Sequence, residues 1–201
     1  MSSDQYKTIK NKSEGFFKDK GSKFYAFAFF VNTEDEIQKI REGIRKEYHD
    51  ARHHVYAYRL GAEMKTFRAS DDGEPSNSSG PPVLGKIKSY ELTDILIIVV
   101  RYFGGTKLGI PGLIKAYGTA AEEAIKNADI IVKTIFKEIE IAFEYPQMND
   151  VMRIIKEHDL KIIEQDMQLS CKIKIGVPKN SFEKVKSQLV QYHKLKLTFD
   201  I

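Results

Sequence analysis

Apolar positions change their period along the chain in a way that separates two stretches, and the second is the more regular. Phe136 to Tyr145 sends Ile139, Ile141 and Phe143 to one side, the period of a strand with one covered face. Gln147 to His158 places Val151, Ile154 and Ile155 at helical spacing, with Met148 and Met152 close by. Leu160 to Asp166 and Leu169 to Val177 return to strand patterns, the second alternating Cys171, Ile173 and Ile175. Pro178 and Asn180 open a second helix with Phe182, Val185 and Leu189 inward, and Lys194 to Phe199 closes the series. The order β-α-β-β-α-β predicts a ferredoxin-like domain over residues 133–201.

The first two-thirds predicts an α+β domain over residues 1–132, joined to the second between Ala128 and Lys137. Strands are expected over Tyr6 to Lys12 and Lys23 to Val31, before a helix from Glu34 to Tyr48. Thr33 with Glu36 is a capping-box signature for that helix, and its charged run, Glu34 to Lys46, reads as a solvated face. Arg52 to Leu60 and Lys65 to Ser70 read as a hairpin turned at Gly61. A polar loop follows, from Asp71 to Pro82, then a short helix from Val83 to Tyr90. Ile95 to Val100 is continuously apolar and rich in β-branched residues, as a strand covered on both faces must be. A glycine loop, Gly104-Gly105-Thr106-Lys107-Leu108-Gly109, separates it from a long helix starting near Pro111.

Composition narrows the classes without choosing among them. Hydrophobic residues make up 42% and charged residues 30% of the chain, an ordinary globular balance. The longest apolar run is strand-sized, and Met1 to Lys7 lacks the apolar core of a secretory signal. A single cysteine, Cys171, excludes an internal disulfide and any multi-cysteine zinc site, so a cytoplasmic location is expected. The net charge of +4 permits an acidic partner without requiring one.

Three polar groups could carry chemistry. The glycine loop next to a helix start suits an anion, because free backbone N–H groups and the helix dipole converge there. Gly104 and Gly109 have the first spacing of a P-loop, but Ile110-Pro111 stands where Lys-Ser/Thr should follow, and G-x-G-x-x-G is absent. The glycines, Gly105 included, could equally serve a tight turn, although Lys107 has little structural use there. Asp71, Asp72 and Glu74 could bind a divalent cation, act as acid and base, or form a turn around Gly73, and Asp71 or Asp72 could pair with Arg68 or Arg101. His53 and His54 are adjacent on a strand, so they face opposite ways and cannot chelate one metal. No nucleophile motif accompanies them. Tyr56 and Tyr58 share a face with Arg52 and His54, which reads either as a grip for single-stranded nucleic acid or as a sheet face under a helix. Cys171 reads as an inert core thiol, and neither cofactor nor metal is expected.

Three segments together resemble the YigZ/IMPACT family: Ala51-Arg52-His53-His54; Ser70-Asp71-Asp72-Gly73-Glu74-Pro75 with Gly80 and Pro82; and Val100 to Gly105 continued through Leu108-Gly109, Gly112-Leu113 and Lys115-Ala116-Tyr117-Gly118. The likeness implies a first domain of the ribosomal-protein-S5-domain-2-like fold and a ferredoxin-like second domain similar to domain V of elongation factor G. It also implies an association with translation and with a nucleic-acid or ribosome surface. Two departures stand out: Asn77-Ser78-Ser79 replaces the family's common Gly-Thr-Ala, and Ile110-Pro111 replaces Thr-Gly. Lys107 occupies a position that is often apolar in relatives.

Two functional expectations result. The leading one is a translation-associated regulatory protein that binds RNA, the ribosome or a translation factor, with Arg101, Lys107 and Lys115 on the contacting loop and helix. Its rival is a hydrolase whose site forms where His53 or His54, the Asp71–Glu74 loop and Gly104–Gly109 converge. A structural adaptor, whose motifs only hold the first domain together, is the plainest alternative.

Overall fold

The computed structural model describes residues 4–168 and 170–199, which form an α+β chain of two compact units. Tyr6 to Lys133 make up the first. The second comprises the described residues from Thr134 onward, with Asp4 and Gln5.

The first unit is built on a five-stranded antiparallel sheet. Its strands are β2 (Ser13–Asp19), β3 (Ser22–Phe30), β4 (His53–Leu60), β5 (Thr66–Ser70) and β6 (Ile95–Tyr102), in the order β2-β3-β6-β4-β5. Helix α1 (Glu34–Glu47) covers one face, and α2 (Gly80–Ser89) with α3 (Gly109–Lys126) covers the other. The central strand shows why its apolar run is unbroken. Ile95, Ile97 and Val99 enter the core under α2 and α3, while Leu96, Ile98 and Val100 enter the core under α1. A strand buried on both faces has no side on which a polar residue would be cheap. Helix α1 is capped as its sequence predicts: the Thr33 hydroxyl accepts from the Glu36 N–H, and Glu36 accepts from the Asn32 N–H.

Outside the main sheet, β1 (Gln5–Ile9) pairs with β7 (Ile130–Thr134). Strand β7 falls where the sequence suggests only a join, and β2 falls between two expected strands. Periodicity misses β2 because Ser13, Glu14, Lys18 and Asp19 dilute its apolar residues. Lys20 and Gly21, both in the left-handed region, turn β2 into β3. Helix α3 begins at Gly109, two residues before the expected start, so Pro111 is its third residue. Helix α2 likewise opens at Gly80, ahead of its two prolines.

The second unit contains β8 (Phe136–Phe143), α4 (Met148–Glu157), β9 (Lys161–Met167), β10 (Cys171–Pro178), α5 (Phe182–Val190) and β11 (Lys196–Phe199). Its antiparallel sheet runs β11-β8-β10-β9, the order of a ferredoxin-like βαββαβ unit. Ile139, Ile141, Ile173 and Ile175 meet Val151, Ile154, Val185 and Leu189 in one core. Cys171 is buried there, as its alternation predicts. Leu169, where the sequence pattern opens this strand, lies outside the described residues, as do Met1 to Ser3.

Candidate functional site

Strand alternation and register assemble the polar motifs of the first unit. His53 and Arg101 are directly paired across β4 and β6, and both lie on the side of the sheet that carries α2 and α3. The acidic loop closes over them through a turn at Asp72-Gly73, both with positive φ, in which the Glu74 N–H donates to the Asp71 carbonyl at 3.0 Å.

Each carboxylate of this loop has its own partners, so the three do not converge on one cation. Asp71 caps α2 from a distance. Its Oδ1 accepts from the Ser79 hydroxyl at 2.7 Å and from the Ser79 and Gly80 N–H groups at 3.0 and 2.8 Å. Its Oδ2 accepts from the Asn77 N–H at 2.8 Å. Burial is the largest single influence on the Asp71 carboxyl and acts upward, but these donors together hold its pKa below the usual carboxylate value. Asp72 faces α1, accepting from Arg45 at 2.6 Å and from the His54 backbone N–H at 2.7 Å. Glu74 turns inward, with only 4% of its side chain exposed. Its Oε1 accepts from Arg101 Nη1 at 2.6 Å and from the Tyr117 hydroxyl at 2.7 Å. Burial, followed by the negative charge of Glu74, raises the Tyr117 pKa far above its ordinary value, so the phenol stays protonated and donates. The expected pairing of Asp71 or Asp72 with Arg68 or Arg101 does not form: Asp72 takes Arg45, Asp71 takes the Asn77, Ser79 and Gly80 donors, and Arg101 goes to Glu74.

The two histidines separate as their alternation requires. His54 is buried beneath α1, where its Nε2 lies 3.0 Å from the Tyr48 carbonyl; desolvation lowers its pKa. His53 Nδ1 lies 2.9 Å from the Asp72 carbonyl. A carbonyl can only accept, so Nδ1 carries the proton and Nε2 is left facing Glu74 at 4.0 Å.

A cleft of about 880 Å³ opens beside this network. Of the residues singled out in sequence, His53, Glu74, Arg101, Lys107 and Gly109 line it. Asp50, Arg52, Tyr102 and Phe103 also line it, and so do the α3 residues Ile110 and Leu113. The start of α3 therefore borders the cleft, with no side-chain cap and no acidic residue in its first turn. The Tyr102 hydroxyl donates to Asp50 at 2.6 Å, a bond that with burial pushes its pKa up to about 12. Phe103 is 57% exposed at the rim.

The other candidates lie elsewhere. Arg68 is exposed on edge strand β5, and Lys115 is exposed on α3 without lining the cleft. Gly104 has a packing role, since a Cβ there would overlap the Gly21 carbonyl carbon and the Ser22 nitrogen. Gly105 has φ +91° and open space around it. Tyr56 and Tyr58 are buried under α1, and the Arg41 guanidinium lies 3.8 Å from the Tyr56 ring centroid, so their strand face is a helix-covered core surface.

Sequence reasoning gives Tyr117 no role beyond its place in the Lys115-Ala116-Tyr117-Gly118 segment, and the structure buries it with Leu113 and Ala120. The signal is chemical: a buried tyrosine hydroxyl needs a partner, and Glu74 is the unclaimed carboxylate of the motif set. Tyr102 and Phe103 stand in the family-like segment Val100 to Gly105 without a role assigned to them, and Asp50 carries no spacing that marks it.

Comparisons with known proteins place the chain in a family. The Impact N-terminal domain family matches residues 20–125, the span that holds the cleft. The IMPACT family member YigZ of Escherichia coli (strain K12) is 30% identical over 175 residues, 86% of this chain and 86% of its own. YvyE of Bacillus subtilis (strain 168), also named an IMPACT family member, is 31% identical over 159 residues, covering 79% and 73%. A protein IMPACT homolog of Dictyostelium discoideum is 34% identical over 95 residues, 45% of this chain and 27% of its own. A crystal structure of a hypothetical protein is similar over 99% of this chain and 98% of that one, with a TM-score of 0.73 at 28% identity. The chain belongs to the IMPACT family.

Proposed function

We propose that this protein is a translation-associated regulator that binds RNA, free or on the ribosome, through the cleft of its first unit. One observation carries the reading: Arg52, Arg101, Lys107 and the uncapped start of α3 border one cleft together with Tyr102 and Phe103. Cations and a helix N-terminus attract phosphate, while exposed aromatic rings stack bases. Both carboxylates in the cleft are engaged, Glu74 by Arg101 and Tyr117 and Asp50 by Tyr102, which leaves Arg52 and Lys107 to act on a ligand. The family resemblance supplies the link to translation.

The test is RNA binding and ribosome co-sedimentation across a salt series. Arg52→Glu with Lys107→Glu changes two exposed cations and spares the buried Arg101. Binding should weaken as salt rises, and the double variant should lose both affinity and salt dependence. Salt-independent binding, or binding unchanged in the double variant, overturns the reading. Binding to a purified translation factor with no RNA bound would move the partner from nucleic acid to protein.

A hydrolase is the second reading, favoured by His53, which lines the cleft with its Nδ1 held by the Asp72 carbonyl. Its weakness is Glu74, which is committed to Arg101 and Tyr117. Turnover of a phosphoester in a substrate panel, abolished by His53→Gln, would establish it.

A further inference from the structure

The wall of the cleft holds a donor that the fold does not use. Arg101 has 8% of its side chain exposed and gives Nη1–H to Glu74, yet its buried Nε has no hydrogen-bond partner among the described residues. A buried guanidinium N–H without an acceptor is unfavourable, so an acceptor supplied by a ligand would be gained at little cost. The same cleft is bordered by exposed Lys107 and by the uncapped first turn of an 18-residue helix, in which Pro111 offers no N–H and the Gly109 and Ile110 N–H groups are the donors. Two independent features, a helix N-terminus and an under-used buried arginine, thus favour one oxyanion.

The rest of the cleft is not shaped for an inorganic anion alone. Pro75, Leu108, Ile110 and Leu113 give it an apolar wall, and Phe103 stands exposed at its rim, with the Arg101 guanidinium 5.7 Å from its ring centroid. A volume of about 880 Å³ lies within the range of small-molecule sites. A flat heteroaromatic body would cover this surface and stack on Phe103. Asp50 adds a hydroxyl acceptor, since a carboxylate that takes one donor from Tyr102 has lone pairs to spare. Phosphate, sugar hydroxyl and base each find a matching group.

We propose that the cleft binds one phosphomonoester nucleotide, with its phosphate at the start of α3 between Lys107 and Arg101 and its base against Phe103. This rests on the nucleic-acid reading of the same site and narrows it: the recognised unit is a nucleotide bearing a terminal phosphate, either free or at the 5′ end of an RNA. An internal run of backbone has only diesters and would leave the unused N–H groups poorly matched.

Calorimetric titration of the full chain with 5′-AMP, adenosine and inorganic phosphate tests the proposal, alongside one short RNA carrying either a 5′-phosphate or a 5′-hydroxyl. 5′-AMP should bind at least tenfold tighter than adenosine or phosphate. Lys107→Ala and Phe103→Ala, both at exposed positions, should each weaken it about tenfold, whereas Lys39→Ala on α1 should leave it unchanged. The 5′-phosphorylated RNA should outbind its hydroxyl twin, and 5′-AMP should displace it. Preference for the RNA end over 5′-AMP assigns the site to chain ends, and the reverse assigns it to free nucleotides. Equal binding of adenosine and 5′-AMP, or 5′-AMP binding untouched by both variants, overturns the proposal. If both RNAs bind equally and resist displacement by 5′-AMP, this inference fails while RNA binding stands. If 5′-AMP binds and neither RNA does, the RNA reading fails while the nucleotide site stands.

Discussion

Removing the Glu74 carboxylate should destabilise the first unit by about 4 kcal/mol, because two buried groups depend on it. Glu74→Ala leaves the Arg101 guanidinium without a counter-charge and the Tyr117 hydroxyl without an acceptor. Breaking a buried ion pair from one side costs roughly 3–5 kcal/mol, and an orphaned hydroxyl roughly 1–3 kcal/mol, with incomplete additivity because they share one oxygen. Tyr117→Phe removes only the hydroxyl and should cost about 1 kcal/mol. Glu74→Gln keeps an acceptor for both donors but loses the charge, so it should fall between these values. The decisive comparison is Glu74→Leu with Arg101→Met, which replaces both charges by apolar groups. It should be at least 1 kcal/mol more stable than Glu74→Ala, since the uncompensated charge has gone. Urea unfolding followed by circular dichroism measures these differences, provided the slopes stay equal. Amide exchange at Val99 and Val100 in β6 assigns the change to the first unit. A loss below 1 kcal/mol for Glu74→Ala, or a double variant no better than it, would refute the view that Glu74 balances the buried Arg101 charge.

Three further outcomes follow from the same geometry. Asp71→Asn replaces a charged acceptor of four donors and should lower stability by about 2 kcal/mol at neutral pH. Because the Asp71 pKa is depressed in the folded state, that difference is present above the ordinary carboxylate pKa and shrinks as pH falls through the folded value, which acid titration of both proteins would show. Burial depresses the His54 pKa, so its neutral form is the folded one; stability should decline as pH drops below about 6.5, and His54→Gln should flatten that part of the urea-midpoint profile. Gly104→Ala should melt far lower than Gly105→Ala, since the first Cβ meets Gly21 and Ser22 backbone while the second has open space and suffers only the strain of φ +91°, about 1 kcal/mol.

Local signals carry further for the second unit than for the first. Its six elements are joined by short connections, and each has one covered face, so period alone separates strand from helix. In the first unit, polar residues break up the apolar pattern of β2, and β7 is short, partly exposed and paired with β1 at the opposite end of the unit's sequence. The helix start at Gly109 is also hidden, because a glycine with φ +70° reads as a loop residue until the next turn is placed.

The candidate site divides along the same line. Opposite faces for His53 and His54, a turn at Asp72-Gly73 and a tight approach at the glycine loop are local properties of strand geometry and of left-handed backbone, and residue order is enough to determine them. Which carboxylate meets which cation is not local. Asp71, Asp72 and Glu74 lie within four positions of one another, yet they reach α2, α1 and the β6–α3 core respectively. Only the register of β4 against β6 sets His53 beside Arg101, and only the packing of α3 on the sheet carries Tyr117 to Glu74 and leaves Lys107 at the mouth of a cleft. Sequence determined the conformations and the faces; tertiary structure decided the pairings, because a charge 27 positions away becomes a neighbour only once the sheet has formed.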